Sequence, residues 1–173
     1  MLRLPILIDE IKTAEAEAKA MGALNRSILK GNGNVAGILG ELAVLRYFGY
    51  LDARRNNTYN HDLIIKGFRF DVKAKRRKVD PQPHHCGTIP SYSDQSCHAY
   101  IFTSVCYVGE NPSHVHLCGW VGKDRFKKES IHYKKGDVNP ENGWVCSMDC
   151  YCLDYSKMKS ITTLECGLLF SDK

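Results

Sequence analysis

His61-Asp62-Leu63-Ile64-Ile65-Lys66-Gly67-Phe68-Arg69-Phe70-Asp71-Val72-Lys73-Ala74-Lys75 is the stretch on which the fold turns. Two runs rich in β-branched and aromatic residues flank Lys66-Gly67, a pair suited to a two-residue hairpin turn. Side chains alternate along a strand, so the turn fixes every pairing. If residue 65 faces 68, Asp62 faces Asp71, with Cβ atoms about 5 Å apart. One face then carries Leu63, Ile65, Phe68, Phe70, Val72 and Ala74, all apolar, and the other Asp62, Ile64, Arg69, Asp71, Lys73 and Lys75. That segregation supports the register. Directly opposed like charges destabilise a strand pair, so two facing aspartates imply a cation between them or a proton on one. Hard divalent cations favour such oxygen ligands. Lys73, two residues beyond Asp71, points the same way. A solvated strand face that merely alternates in charge gives the same pattern and stands as the competing reading.

Upstream, residues 35–48 read as a helix with Asn34 as N-cap and Gly49 as its stop. Glu41 falls on the apolar stripe Ile38, Glu41, Leu45, Phe48, alongside Leu42. A carboxylate there is costly unless it is paired or metal-bound, the alternative being a glutamate at the stripe's edge with its head in water. An earlier helix is expected over about residues 7–21, ending at Gly22.

Downstream, residues 76–97 contain Pro81, Pro83 and Pro90 among several Ser and His and read as a long loop. Residues 98–108 and 114–121 suggest a second hairpin around Glu110-Asn111-Pro112-Ser113, followed by a short helix at 123–129 and a strand within 144–153. The chain from Tyr155 has no assignable pattern. The expected fold is α/β, a central mixed sheet flanked by helices, in one domain over residues 1–173. Its core is placed at about 34–121, its N-terminal helix at about 7–21 and a cysteine-containing C-terminal part at about 144–173.

With 173 residues, 43% hydrophobic and 25% charged, the composition is that of a globular domain rather than a disordered or fibrous chain. The net charge of +5 makes attraction to polyanions mild. Asp9 and Glu10 interrupt the apolar start before a secretory core is reached, and no stretch approaches the roughly 20 apolar residues of a membrane span. A cytoplasmic location with no membrane partner is therefore expected. The eight cysteines, none before Cys86, are then expected as reduced thiols. Cys146, Cys150 and Cys152, with Cys86, Cys97 and His98 elsewhere, offer zinc-ligand types without the repeated knuckle spacing, so structural Zn2+ is not expected. Gly31, Gly33, Gly37 and Gly40 resemble a phosphate loop, but no strand precedes them and the Lys-Ser/Thr ending is missing. Contacts to nucleic-acid phosphates are assigned to Arg26, Ser27 and Asn34 near that helix start and to the basic run Lys75, Arg76, Arg77, for which a plain solvated charge run is the alternative.

Gly40-Glu41 in a helix, His61-Asp62-Leu63-Ile64-Ile65 at a strand start and Phe70-Asp71-Val72-Lys73 on the next strand together resemble the PD-(D/E)XK nucleases over residues 34–75. His61 stands where the name-giving motif has Pro. The resemblance implies a restriction-endonuclease-like core in which Asp62 and Asp71 ligate Mg2+, joined by the Val72 carbonyl. It further implies that Glu41 supports the metal or its water and that Lys73 orients the nucleophile. Phosphodiester hydrolysis wants such residues, because a cation must activate water and offset charge on the phosphorane. The expected protein is thus a magnesium-dependent hydrolase, with Mn2+ as substitute, cutting DNA as an endonuclease of the small phage, bacterial or junction-resolvase type. Structure-selective cutting is preferred because no separate sequence-reading module is found. RNA as substrate and terminal cutting stay open, as does a homodimer that would pair two sites about a two-fold axis. The alternatives are a non-catalytic nucleic-acid-binding module and a zinc-stabilised interaction protein.

Overall fold

Lys66 and Gly67 both adopt positive φ, +47° and +79°, as a two-residue turn matched to the twist of its strands demands. The computed structural model describes residues 1–21, 34–56, 60–140 and 143–169. The turn joins β3 (Leu63–Ile65) to β4 (Phe68–Arg77) in the expected register, Leu63 opposite Phe70 and Ile65 opposite Phe68. On its other side β4 pairs in parallel with β6 (Ala99–Val108), which pairs antiparallel with β7 (Asn111–Gly122). With β1 (Leu2–Pro5) and β2 (Arg54–Arg55) at the edges, the six-stranded mixed sheet runs β1-β7-β6-β4-β3-β2.

Both faces of this sheet are apolar at its centre, so both must be covered. On one face lie α1 (Ile8–Met21), α2 (Asn34–Tyr47) and α4 (Ile161–Leu169), packed on Leu63, Ile65, Phe70, Ile101, Val105, Val115 and Leu117. On the other, Tyr100, Phe102 and Val121 meet Phe126 of α3 (Lys123–Glu129) and Ile89 and Leu153 of a three-stranded sheet. That small sheet is antiparallel, ordered β5 (Cys86–Pro90), β9 (Cys150–Asp154), β8 (Ile131–Tyr133). The architecture is α/β with a central mixed sheet flanked by helices, as the sequence suggested. No helix among the described residues is long and apolar enough to cross a membrane.

Helix α2 positions the candidate site, and Gly40 sets its distance from the sheet. A Cβ built on Gly40 would lie 2.5 Å from Thr103 Oγ1 and 3.0 Å from Ala74 Cβ, so only glycine lets the helix backbone come this close to β4 and β6. The buried residues of α2 are Ala36, Ile38, Leu39, Gly40, Ala43 and Val44, so of the expected stripe Ile38 is buried, as is Phe48 just beyond the helix, whereas Leu45 and Glu41 are only half-buried. Glu41 stands at the margin of the buried face. Other expectations are corrected as well. The supposed loop 76–97 contains β5, which exists by pairing with β9. The second hairpin turns at Gly109-Glu110, so that β7 already runs through Asn111, Pro112 and Ser113. The strand expected within 144–153 is confined to Cys150–Asp154, and β1, β2, β8 and α4 were not anticipated.

Candidate active site

Beyond Leu63 the β3–β4 ladder opens. The Asp62 N–H still donates to the Phe70 carbonyl at 3.0 Å, but the next β4 donor, the Val72 N–H, is met by the Asp62 carboxylate, Oδ2 at 2.7 Å. The side chain thus takes the place of a backbone acceptor, ends β3, and is held beside Asp71 by the bond. Asp71 is 2% exposed and lies opposite Tyr100 of β6. Its Oδ2 has the Lys73 ammonium at 2.7 Å. Two strand positions on one face therefore carry an acid and its cation, as the alternation required.

Burial, then the charges of Asp71 and Glu41, push the Asp62 carboxyl up to about 8, against the opposing pull of the Val72 N–H and Lys73. Glu41 is also raised, by burial first, with the neighbouring Arg55 guanidinium pulling it back and Glu17 and Asp71 adding to the rise. Arg55 Nε donates to Glu41 Oε2 at 2.8 Å, while its NH1 donates to both carboxylate oxygens of Glu17 at 2.8 and 2.7 Å. One guanidinium therefore ties α1, α2 and β2 together and fixes the Glu41 head at the helix margin, a bidentate use for which arginine's planar fork is suited.

Glu41, Asp62, Asp71 and Lys73 form one electrostatic unit in which each acid feels another. The three carboxylates do not all approach one another within 4.8 Å; Arg55 pairs with Glu41 and Lys73 with Asp71. An oxygen-only donor set with two cations set against three acids, Asp71 buried and the other two half-buried, fits a hard divalent ion. Val72 lies between Asp71 and Lys73 and spends its N–H on Asp62.

The residues assigned to phosphate contacts are placed differently. Asn34 opens α2, whereas Arg26 and Ser27 lie outside the described residues. The basic run is engaged within the protein. Lys75 Nζ is 3.9 Å from Cys86 Sγ, Arg76 pairs with Glu110 at 2.7 Å and lies over the Tyr107 ring, and Arg77 Nε donates to Ser104 Oγ at 3.3 Å. Lys75 leads into a thiol cluster under the small sheet, where Cys146 and Cys150 sulfurs are 3.3 Å apart and Cys150 and Cys152 sulfurs 3.8 Å. The Cys86 thiol there is lowered to about 5, chiefly by a hydrogen bond from Cys152 and then by Lys75.

Sequence reasoning missed Arg55, whose only signal was a basic pair preceding the hairpin. It also missed a second group, Asp80, Cys106, His114 and His116, whose candidate ligand atoms all lie within 4.8 Å of one another. A correct register for the second hairpin would have placed Cys106 against His114. Set against known proteins, the chain matches no family model and no curated protein.

Proposed function

We propose that the chain is a divalent-metal-dependent nuclease hydrolysing DNA phosphodiester bonds at the opened end of the β3–β4 hairpin. The observation that carries this reading is the Asp62 carboxylate held on the Val72 N–H, next in the chain to Asp71, with Lys73 2.7 Å from Asp71 and Glu41 tied to Arg55. Neighbouring carboxylates, one of them buried, cost stability, so their presence points to a task. Asp62 and Asp71 would hold magnesium, with Glu41 at its water and the Val72 carbonyl as a further donor. The bound ion supplies an acidified water and offsets charge on the phosphorane and leaving oxygen.

The protein's own part is positional. The Val72 N–H fixes the Asp62 carboxylate in one orientation, and Arg55 does the same for Glu41. Lys73, on the same strand face as Asp71, would hold the attacking water in line or meet a phosphate oxygen. Low exposure around Asp71 strengthens these interactions by excluding bulk water. Linear, circular and branched DNA incubated with the purified protein and magnesium or manganese should be cut, internal cleavage of circles marking an endonuclease. Asp71→Asn should stop cutting while leaving DNA binding intact. Binding without any cleavage by the unaltered protein would end the nuclease reading in favour of a binding module.

A further inference from the structure

Past the end of β4, about 20 Å along the strand from Asp71 at roughly 3.3 Å per residue, four side chains of different chemistry converge. His114 and His116 are two apart on β7 and share a face, and Cys106 of β6 is the direct cross-strand partner of His114. The pairing follows from a register shift after Cys106, where β7 carries an extra residue, Ser113, between the partners of Cys106 and Tyr107. Bulges of this kind re-aim side chains. Asp80, three residues beyond β4, completes the group from above: its Oδ1 lies 2.7 Å from His114 Nε2 and 3.3 Å from His116 Nε2.

The burial is that of a built site rather than a surface ion pair. Cys106 is 3% exposed and His116 9%, and the buried His116 Nε2 meets the Asp80 carboxylate at 3.3 Å. It is aimed at the one point that Asp80, His114 and Cys106 also face. The Nδ1 of His114 has Ser113 Oγ at 3.1 Å, an acceptor able to take the ring proton when Nε2 serves as a ligand, the arrangement that orients metal-bound histidines. The exposed Arg3 NH2 also lies 3.4 Å from this Nδ1, a contact that would give way when Nδ1 carries the proton.

From this convergence we infer that Asp80, Cys106, His114 and His116 form a four-coordinate site for zinc. One thiolate, one carboxylate and two neutral imidazoles balance the charge of a divalent ion. The mixture of sulfur, nitrogen and oxygen suits borderline zinc and excludes magnesium, which prefers oxygen alone. With four protein ligands the site is closed, hence structural. It clasps the segment leaving β4 to the β6–β7 hairpin, and it is separate from the acids at the other end of the sheet.

The test uses the full chain, stripped with chelator under reducing conditions and titrated with zinc and then with cobalt. One zinc per chain and a thiolate-to-cobalt charge-transfer band of tetrahedral type are expected. Cys106→Ser should remove that band, and Asp80→Ala, a change at a half-exposed residue that the fold tolerates, should weaken zinc by at least about 100-fold, the upper end of what loss of an outer-shell partner costs. Cys150→Ser, in the separate thiol cluster, should leave both unchanged. The inference is overturned if the unaltered chain takes up no zinc. It is equally overturned if the band survives Cys106→Ser and disappears with Cys150→Ser, which would assign the metal to the thiols under the small sheet.

Discussion

At the start of β4 the clustered groups are all carboxylates, and they hold one another at a distance; beyond its end the clustered groups differ in kind, and their ligand atoms have closed to within 4.8 Å. The first arrangement stores repulsion. The Asp62 carboxyl is pushed up to about 8, and Glu41 and Asp71 pair with Arg55 and Lys73. The second is self-satisfying, because an imidazole N–H can donate to a carboxylate with no metal at all. What the contrast teaches is that a site meant to bind and release a cation during turnover is better built from groups that remain uncomfortable without it. A clasp is better built from groups already in place.

The largest effect that bears on this contrast is a double dissociation. Asp71→Asn should lower the single-turnover cleavage rate by at least about 10³-fold, the top of the range for losing one group that stabilises developing charge, with zinc uptake unaltered. A proportional loss of both would merge the two sites into one. Next in size, Arg55→Gln frees the Glu41 head from its tether to Glu17. Magnesium affinity, read from the metal dependence of cleavage, should weaken by about 10- to 100-fold, as for loss of an outer-shell partner, while turnover at saturating metal recovers most of its value. If saturating metal restores nothing, Arg55 acts on the fold and not on Glu41.

Gly40→Ala addresses the packing beneath the acids. A methyl group forced against Thr103 Oγ1 and Ala74 should cost about 1–3 kcal/mol and lower the melting temperature by some 2–4 °C per kcal/mol for a chain of this size. An unchanged melting temperature would mean that α2 moves away from the sheet at no cost. A further effect is expected in pH. Because the Asp62 pKa is raised in the folded state, the folded chain binds more protons than the unfolded one between the ordinary aspartate value, about 3.9, and about 8. Its contribution to stability is thus present in full below that window and lost as pH rises through it. Thermal melts of metal-free protein should show the decline, magnesium should reverse it at the alkaline end, and Asp62→Asn should flatten the curve.

The hairpin at Lys66-Gly67 was legible because its information is local: two residues of turn chemistry fix the alternation of everything beside them, and the faces of Asp62, Asp71 and Lys73 follow. Helix α3 was found at its observed ends for the same reason, its pattern being complete within seven residues. Glu41 was found, although by a stripe that was only half right, since the sheet-facing side of α2 depends on how closely Gly40 lets the helix approach. What escaped was non-local. β1 acquires strand character from β7, more than a hundred residues away, and β5 from β9. The Asp80, Cys106, His114 and His116 group depends on a bulge at Ser113 and on where the chain goes after β4. No short spacing encodes either.

The parallel pairing of β4 with β6 also bears on how the chain folds. Parallel neighbours cannot be joined by a tight turn, and here residues 78–98 make the return and carry β5 on the way. The acids at 41, 62 and 71 are close in sequence and can gather early. The strand that completes the sheet beside β4 arrives only after that long return, and non-local pairings of this sort slow folding. During synthesis the acids would therefore emerge ahead of the strand that shields them, leaving the β4 edge open to wrong partners until β6 docks.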